Sequence, residues 1–256
     1  MKKVFKEKGF IRASLKPVNL SDKAATEIQY LQENFKTLPN DPYANSSSNR
    51  SRAYSNLIIF PWDREVYWMP VEQKEDRYVS SYWQGKFNPE HKDAMRHFSP
   101  LNVKVKESML LKNLILHDFD LTFLDDRFKN LPIYVGVHFV KLQVSDKNEE
   151  GISSPNLFHR DGEAFTFAHL FNRKNVKGGV NYIASTQCAN TPLEAIDRSL
   201  LKSEFEMIEP FDGYGVCDKL VSHYVSPIKI QDETISHGVR EIILIDFSAM
   251  KQKLVS

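Results

Sequence analysis

Cysteine is scarce in this sequence: Cys188 and Cys217 are the two in 256 residues, and neither belongs to a Cys-x-x-Cys pair. That argues against a disulfide framework and a structural zinc knuckle, and it fits a reducing cytoplasm. Net charge is equally scarce. Thirty-four basic against 33 acidic side chains leave +1, so there is no global field to hold a polyanion, and nucleic acid is not an expected partner. Long apolar runs are missing as well. Residues 1–8 open with positive charge but never reach the apolar core of a leader, and no stretch approaches the roughly 18 apolar residues of a membrane span. The expectation is a cytoplasmic protein without a membrane partner.

What is present is ordinary globular material. A composition of 41% apolar, 12% aromatic and 26% charged residues lies far from the low-hydrophobicity regime of disorder. The length supplies one core of ordinary size, so residues 1–256 are expected to form a single domain.

Ser21 is placed to cap a helix whose apolar positions Ala25, Ile28, Leu31, Phe35 and Leu38 recur at three- and four-residue steps. The helix should end before Pro39-Asn40-Asp41-Pro42, and residues 43–52, which include Asn45-Ser46-Ser47-Ser48-Asn49, read as a loop. A second helical pattern covers residues 106–119, with Met109, Leu110, Asn113, Leu114 and His117 on one face, and after a break it can resume over 123–128. From residue 133 the chain becomes β-branched and aromatic. Strand-like runs at 133–142, 157–160, 164–171, 180–184, 205–208, 220–228 and 239–247 are separated by Gly, Asn, Asp or Pro clusters. The expected fold is mainly β, a sandwich or barrel formed mainly by 133–250, with flanking helices mainly in 20–130 packed outside it.

Eight histidines and 16 aspartates make a His-x-Asp tripeptide a chance event about half a time, and two occur. His91-Lys92-Asp93 lies in a polar stretch read as helix or loop, where residues two apart point roughly 200° apart and cannot share an ion. His159-Arg160-Asp161 instead closes an extended run and is followed by Gly162. On an extended chain residues i and i+2 share a face, so the imidazole and the carboxylate can meet one ion while Arg160 points away. His223, on the face of Val221 and Val225, is the natural third ligand. Two imidazoles and one carboxylate leave three octahedral positions open, as in non-haem Fe(II) oxygenases. The alternative is a hydrogen-bonded His159–Asp161 surface pair and a satisfied core histidine at 223.

Arg240 shares a strand face with Ile242 and Leu244. A guanidinium there is costly to desolvate without an anion, and its fork matches a carboxylate. It could serve a ligand, or it could pair with an acid such as Asp246.

Taken together these residues resemble a known family, the bacterial 2-oxoglutarate/Fe(II) dioxygenases that hydroxylate free L-amino acids, typified by isoleucine 4-hydroxylase. The resemblance runs over most of the chain. It rests on the segment from Leu157-Phe158-His159-Arg160-Asp161 to Gly162-Glu163, on His169-Leu170-Phe171-Asn172 and Gly178-Gly179, and on His223-Tyr224-Val225-Ser226-Pro227 and Arg240-Glu241-Ile242-Ile243-Leu244. Arg50-Ser51-Arg52-Ala53-Tyr54-Ser55 and Arg96-His97-Phe98 resemble two further family elements. Gly162-Glu163 departs from the acidic pair of isoleucine-type members, and residues 185–218 match loosely.

The resemblance implies a double-stranded β-helix, the cupin-like jelly roll. It also implies that His159, Asp161 and His223 hold Fe(II), and that Arg240 holds the far carboxylate of 2-oxoglutarate. O₂ and a small-molecule amino acid would complete the reaction, with release of succinate and CO₂. An amino-acid substrate needs a cation for its carboxylate and an anion for its ammonium. Arg52 (or Arg50) and Glu163 are the candidates, with Tyr54 adding a hydrogen bond. Two other classes fit parts of the pattern: a metal-dependent hydrolase, and a non-catalytic cupin-like protein that binds a small acid. His138 and His169 read as satisfied core histidines, and Gly178-Gly179 as a tight turn.

Overall fold

The structure is a computed structural model that describes residues 1–14, 22–85, 93–128, 130–153 and 155–250. The proposed cap Ser21 and the His91-Lys92 part of the first His-x-Asp tripeptide lie outside the described residues. The helices are α1 (Lys2–Lys8), α2 (Asp22–Lys36), α3 (Val103–Lys106) and α4 (Met109–Leu121). In chain order the strands are β1 (Phe10–Ser14), β2 (Arg50–Phe60), β3 (Glu65–Trp68), β4 (Glu72–Lys74), β5 (Arg77–Gln84), β6 (Ala94–Phe98), β7 (Ile133–Val144), β8 (Phe165–Lys174), β9 (Val176–Gly178), β10 (Asn181–Ala184), β11 (Leu201–Phe205), β12 (Asp212–Cys217), β13 (Ser222–Val225), β14 (Ile228–Ile230) and β15 (Gly238–Ala249).

Seven strands form one antiparallel sheet in the order β1-β12-β8-β15-β7-β2-β3. The sheet is covered on both faces, which is why its central strands read as nearly continuous apolar runs. Period-two alternation sorts the side chains. On β15, Ile243, Ile245 and Phe247 enter a core shared with Leu31 and Phe35 of α2 and with Leu111, Leu114 and Ile115 of α4. Phe35 stacks on Phe139 of β7 and Phe171 of β8, with ring centroids 4.6 and 5.0 Å apart. The opposite face carries Arg240, Ile242, Leu244 and Asp246 of β15, His138, Val140 and Leu142 of β7, and Thr166 and Ala168 of β8, all lining a cavity. Smaller sheets, β11-β10-β13 and β14-β9, complete the jelly roll, and β10 and β13 supply Asn181, His223 and Val225 to the same cavity.

The expected β core is present, and several local expectations need correction. Residues 50–52 are not loop but the start of β2, held by pairing Arg50 with Leu142 and Arg52 with Val140 of β7. Much of the first half is strand as well, since β2 to β6 all lie before residue 133, where the sequence pattern reads as helix and loop. Residues 157–160 form no strand; His159 makes an isolated bridge to His223. The strand expected at 205–208 lies at Leu201–Phe205, and the one at 220–228 is two, β13 and β14. After α4, residues 126–128 make a short 3₁₀ turn in place of a continued helix.

The buried face of α4 is Leu111, Leu114, Ile115, Asp118 and Leu121, while Met109 is exposed. Its sequence, Met-Leu-Leu-Lys-Asn-Leu-Ile-Leu, is apolar nearly all round, so periodicity could not select a face. Ser108 caps it by accepting from the Leu111 N–H at 3.2 Å, and Glu27 of α2 accepts from the Ser108 hydroxyl and the Leu110 N–H. β12 escaped notice because Gly213 and Gly215 weaken its strand signal. Both are required by packing: a Cβ at either would lie 2.6 or 2.4 Å from the rings of His169 and Phe167 on β8.

Candidate active site

The bridge between residues 159 and 223 is the local event that builds the site. The His159 N–H donates to the His223 carbonyl at 2.9 Å and the His223 N–H to the His159 carbonyl at 3.0 Å, so the two imidazoles are cross-strand neighbours with ring centroids 4.4 Å apart. Asp161, two residues on, returns to the same side. Its carboxylate oxygens lie 3.6 Å from His159 Nε2 and 3.4 Å from His223 Nε2. All three donor atoms fall within 4.8 Å of one another, and among the described residues no other group of His, Cys, Asp or Glu is so arranged.

The protonation pattern suits a cation. His159 Nδ1 lies 3.1 Å from the Leu157 carbonyl; a carbonyl can only accept, so Nδ1 carries a hydrogen and Nε2 is the nitrogen turned toward Asp161. Burial brings the His223 imidazole down to about 4, which keeps it neutral. For Asp161, burial works against ionisation, but His223 and His159 hold the carboxyl below its ordinary value. Ligands at right angles on bonds of about 2.1 Å sit about 3 Å apart, near the 3.6 and 3.4 Å that separate the Asp161 oxygens from the two imidazole nitrogens. Two nitrogens and one oxygen on one side of an open cavity therefore fit ferrous iron.

Arg240 is buried, lines the cavity and makes no ion pair among the described residues; its Nε has no hydrogen-bond partner. The competing partner, Asp246, is committed elsewhere: it accepts from the Gly136 N–H at 3.1 Å and sits 2.9 Å from His138 Nε2. Burial lowers the Arg240 guanidinium to about 10, so it remains a cation at neutral pH. The turn beside it contains Gly178 and Gly179 at φ +82° and +68°. A Cβ at Gly179 would come within 3.1 Å of Arg240 Nε and 3.2 Å of Arg173 Nη1, so the glycine pair is indeed a tight turn, and it makes room for the arginine.

The 2OG-Fe dioxygenase family model matches residues 32–246, a span that includes all four of these side chains. The chain belongs to this family. It is a 2-oxoglutarate- and Fe(II)-dependent dioxygenase, and the hydrolase and non-catalytic readings give way to that one. The dioxygenase is similar in fold to IDO from Bacillus thuringiensis, at 21% identity and a TM-score of 0.72, covering 98% of this chain and 94% of that one. It is also similar to a bsmA homolog from Methylobium petroleophilum PM1, at 16% identity and a TM-score of 0.71 over 96% and 91% of the two chains. The Fe(II)/α-ketoglutarate-dependent dioxygenase TqaL gives 13% identity and a TM-score of 0.69 over 96% and 85%. No curated protein matches the sequence.

The other predicted residues are distributed unevenly in this dioxygenase. Arg52 lines the cavity, and Arg50 does so while held by Asp41 at 2.8 Å and by the carbonyls of Ile152 and Ser153. Glu163 also lines the cavity rather than the surface, and it accepts a hydrogen bond from Ser248. Burial and the neighbouring Asp246 push its carboxyl up to about 8. Tyr54 is the correction. It is fully buried behind the cavity wall, its hydroxyl paired with that of Tyr134 at 3.1 Å and its ring 4.4 Å from His138, so it does not reach a ligand. As the first aromatic after Arg52, it points to the face opposite Ala53 but is sealed beneath Tyr82 and Phe98.

His138 and His169 separate cleanly. His169 faces the helical side and pairs with buried Asp118 of α4 at 2.7 Å. His138 faces the cavity between Arg52 and Asp246. Its alternation with Val140 and Leu142 on β7 was the available signal, and the same alternation from Arg240 to Asp246 marked Asp246.

Proposed function

We propose that this dioxygenase hydroxylates a free L-amino acid. In this reading His159, Asp161 and His223 hold Fe(II), Arg240 grips the distal carboxylate of 2-oxoglutarate, and Arg52 and Glu163 receive the substrate's carboxylate and ammonium. When bound, the iron and the 2-oxo acid supply the chemistry: O₂ is consumed, 2-oxoglutarate becomes succinate and CO₂, and one oxygen atom enters a substrate C–H bond. The protein supplies placement.

The observation that carries the reading is that one cavity presents two cationic positions on strands separated by β7. Arg240 of β15 leans toward Gly179 and β8, whereas Arg52 of β2 leans across β7 to His138. Asp161 lies within electrostatic reach of Tyr214, which is beside Arg240, and of His138, which is beside Arg52. A diacid on one cation and a second acid on the other would thus both approach the triad. Val140, Leu142, Val216, Ile242 and Leu244 make the aliphatic walls that hold a side chain and keep water out. The two thiols, Cys188 and Cys217, are free and buried, which supports the cytoplasm as its location.

The test is a screen of the standard L-amino acids, with Fe(II), ascorbate and 2-oxoglutarate, for substrate-dependent succinate release and a mass gain of one oxygen. At least one aliphatic amino acid should show both. Succinate release driven by a peptide or a non-amino acid alone would overturn the substrate class.

A further inference from the structure

Arg52 is held in the cavity by a neutral group. It makes no ion pair among the described residues: the nearby carboxylate of Asp41 pairs with Arg50, and Arg52 Nε is buried without a hydrogen-bond partner. Its Nη2 donates to His138 Nδ1 at 2.7 Å, and both side chains line the cavity. A carboxylate in the place of His138 would hold the guanidinium and cancel its charge, whereas an imidazole holds it and leaves the charge for a ligand.

An arginine can only donate, so His138 Nδ1 must be bare and Nε2 must carry the ring's hydrogen. Burial, with Arg52 and Arg96 nearby, keeps this ring well below the usual imidazole value and therefore neutral. Nε2 then donates to Asp246 Oδ2 at 2.9 Å, and the Gly136 N–H donates to Asp246 Oδ1 at 3.1 Å. The chain of bonds crosses three adjacent strands. Asp246 of β15 pairs in register with Gly136 of β7, and Arg52 of β2 pairs with Val140. His138 stands midway between those two positions on β7, so each partner is its diagonal cross-strand neighbour. Tyr54 and Tyr82 pack on the ring, with centroids 4.4 and 5.3 Å away, and fix its plane.

We propose that His138 is a positioning residue: held in one tautomer by Asp246, it fixes the Arg52 guanidinium in the cavity as an uncancelled cation that orients the substrate. The substrate's part in this rests on the reading that places its carboxylate at Arg52. Asp246→Asn tests the tautomer without a change of shape. The Gly136 N–H keeps the amide oxygen, so the amide NH₂ faces His138 Nε2. Nε2 must then accept, the ring's hydrogen moves to Nδ1, and two donors confront each other at Arg52. Substitutions of the ring itself separate its two contacts. In His138→Asn the side-chain oxygen can take the place of Nδ1 and accept from Arg52, whereas in His138→Gln the longer side chain reaches only Asp246.

The test uses the full-length protein at about pH 8, above the value of about 7 to which burial and Asp161 raise the Asp246 carboxyl. Nitrogen-15 NMR of the histidine-labelled protein, loaded with diamagnetic Zn(II) and 2-oxoglutarate, reads the tautomer. The His138 ring, identified by its loss in either His138 variant, should carry its hydrogen on Nε2 in the parent and on Nδ1 in Asp246→Asn. Kinetics with Fe(II), ascorbate and 2-oxoglutarate then use whichever standard L-amino acid turns over. Asp246→Asn and His138→Gln should raise the amino-acid KM about tenfold or more, with the KM for 2-oxoglutarate within about twofold of the parent. His138→Asn should stay within about threefold. Because His138 acts through Arg52, Asp246→Asn should add less than about twofold in an Arg52→Met background. The proposal is overturned if the parent ring carries its hydrogen on Nδ1, if Asp246→Asn leaves the tautomer or the amino-acid KM unchanged, if His138→Asn fails as His138→Gln does, or if the effect of Asp246→Asn is as large in the Arg52→Met background. The expected tautomers with no amino acid turned over would uphold the positioning of Arg52 and sink the amino-acid reading.

Discussion

Arg240 and Asp246 stand six residues apart on one face of β15, and each is buried for a different purpose. Asp246 is satisfied within the protein by Gly136 and His138, and Gly136 must be glycine because a Cβ there would lie 2.5 Å from the Asp246 carboxylate. Arg240 makes no ion pair among the described residues and its Nε has no hydrogen-bond partner there, and a buried cation without an anion is retained only at a cost. Replacing it by glutamine should raise the KM for 2-oxoglutarate by roughly 30-fold or more, the loss expected for one partner of a buried charge pair. Initial rates at varied 2-oxoglutarate would show this, and an unchanged KM would remove Arg240 from its assigned role. At this scale the cluster of His159, Asp161 and His223 was legible in the sequence, because His-x-Asp on an extended chain and a histidine on an apolar face are local signals. Tyr54 was misread, since two residues from Arg52 in sequence says nothing of which side chains will seal over its ring.

The element that organises the substrate side is β2, and its first residue is clamped by a buried ion pair. Arg50 Nε lies 2.8 Å from Asp41 Oδ2, with both side chains nearly inaccessible. This joins the turn after α2 to the start of the strand that carries Arg52. Asp41→Asn would leave a buried guanidinium unpaired and should cost about 3–5 kcal/mol, read as a lower Tm or denaturation midpoint. The pH dependence has a definite sign. Burial would raise the Asp41 carboxyl, but the charges of Arg52 and Arg50 and its hydrogen bonds bring it below 3.8 in the folded protein. The stabilisation is therefore complete above the unfolded value and is lost as pH falls through the lower folded one, so parent and variant should converge in stability only below about pH 4. The pair was not legible from sequence. Residues 43–52 carry the polar composition of a loop, and only pairing with β7 shows that the segment ends as a strand with its arginines inside.

For the whole molecule, the proposed assignment means that iron and 2-oxoglutarate bind the native state alone, because the bridge that joins His159 to His223 and the sheet that carries Arg240 do not exist in the unfolded chain. At 100 times its Kd a ligand adds about 2.7 kcal/mol, or roughly 5–10 °C in Tm for a chain of this size. Mn(II) should raise Tm, 2-oxoglutarate should add a further increment, and EDTA should abolish both. Arg240→Gln should keep the metal increment and lose the second one. An increment from 2-oxoglutarate that survives chelation would contradict the site. The sequence by itself determined the β-rich second half, the three ligand candidates and the cation at 240, because period-two alternation and i, i+2 spacing are properties of a few adjacent residues. Only the tertiary structure decided that Arg52 and Arg96 share a cavity, that Tyr54 does not enter it, and that His138 rather than His169 faces it. Those outcomes depend on which strands pair and which sheet closes over them, and contacts between residues far apart in the chain leave no periodic trace within it.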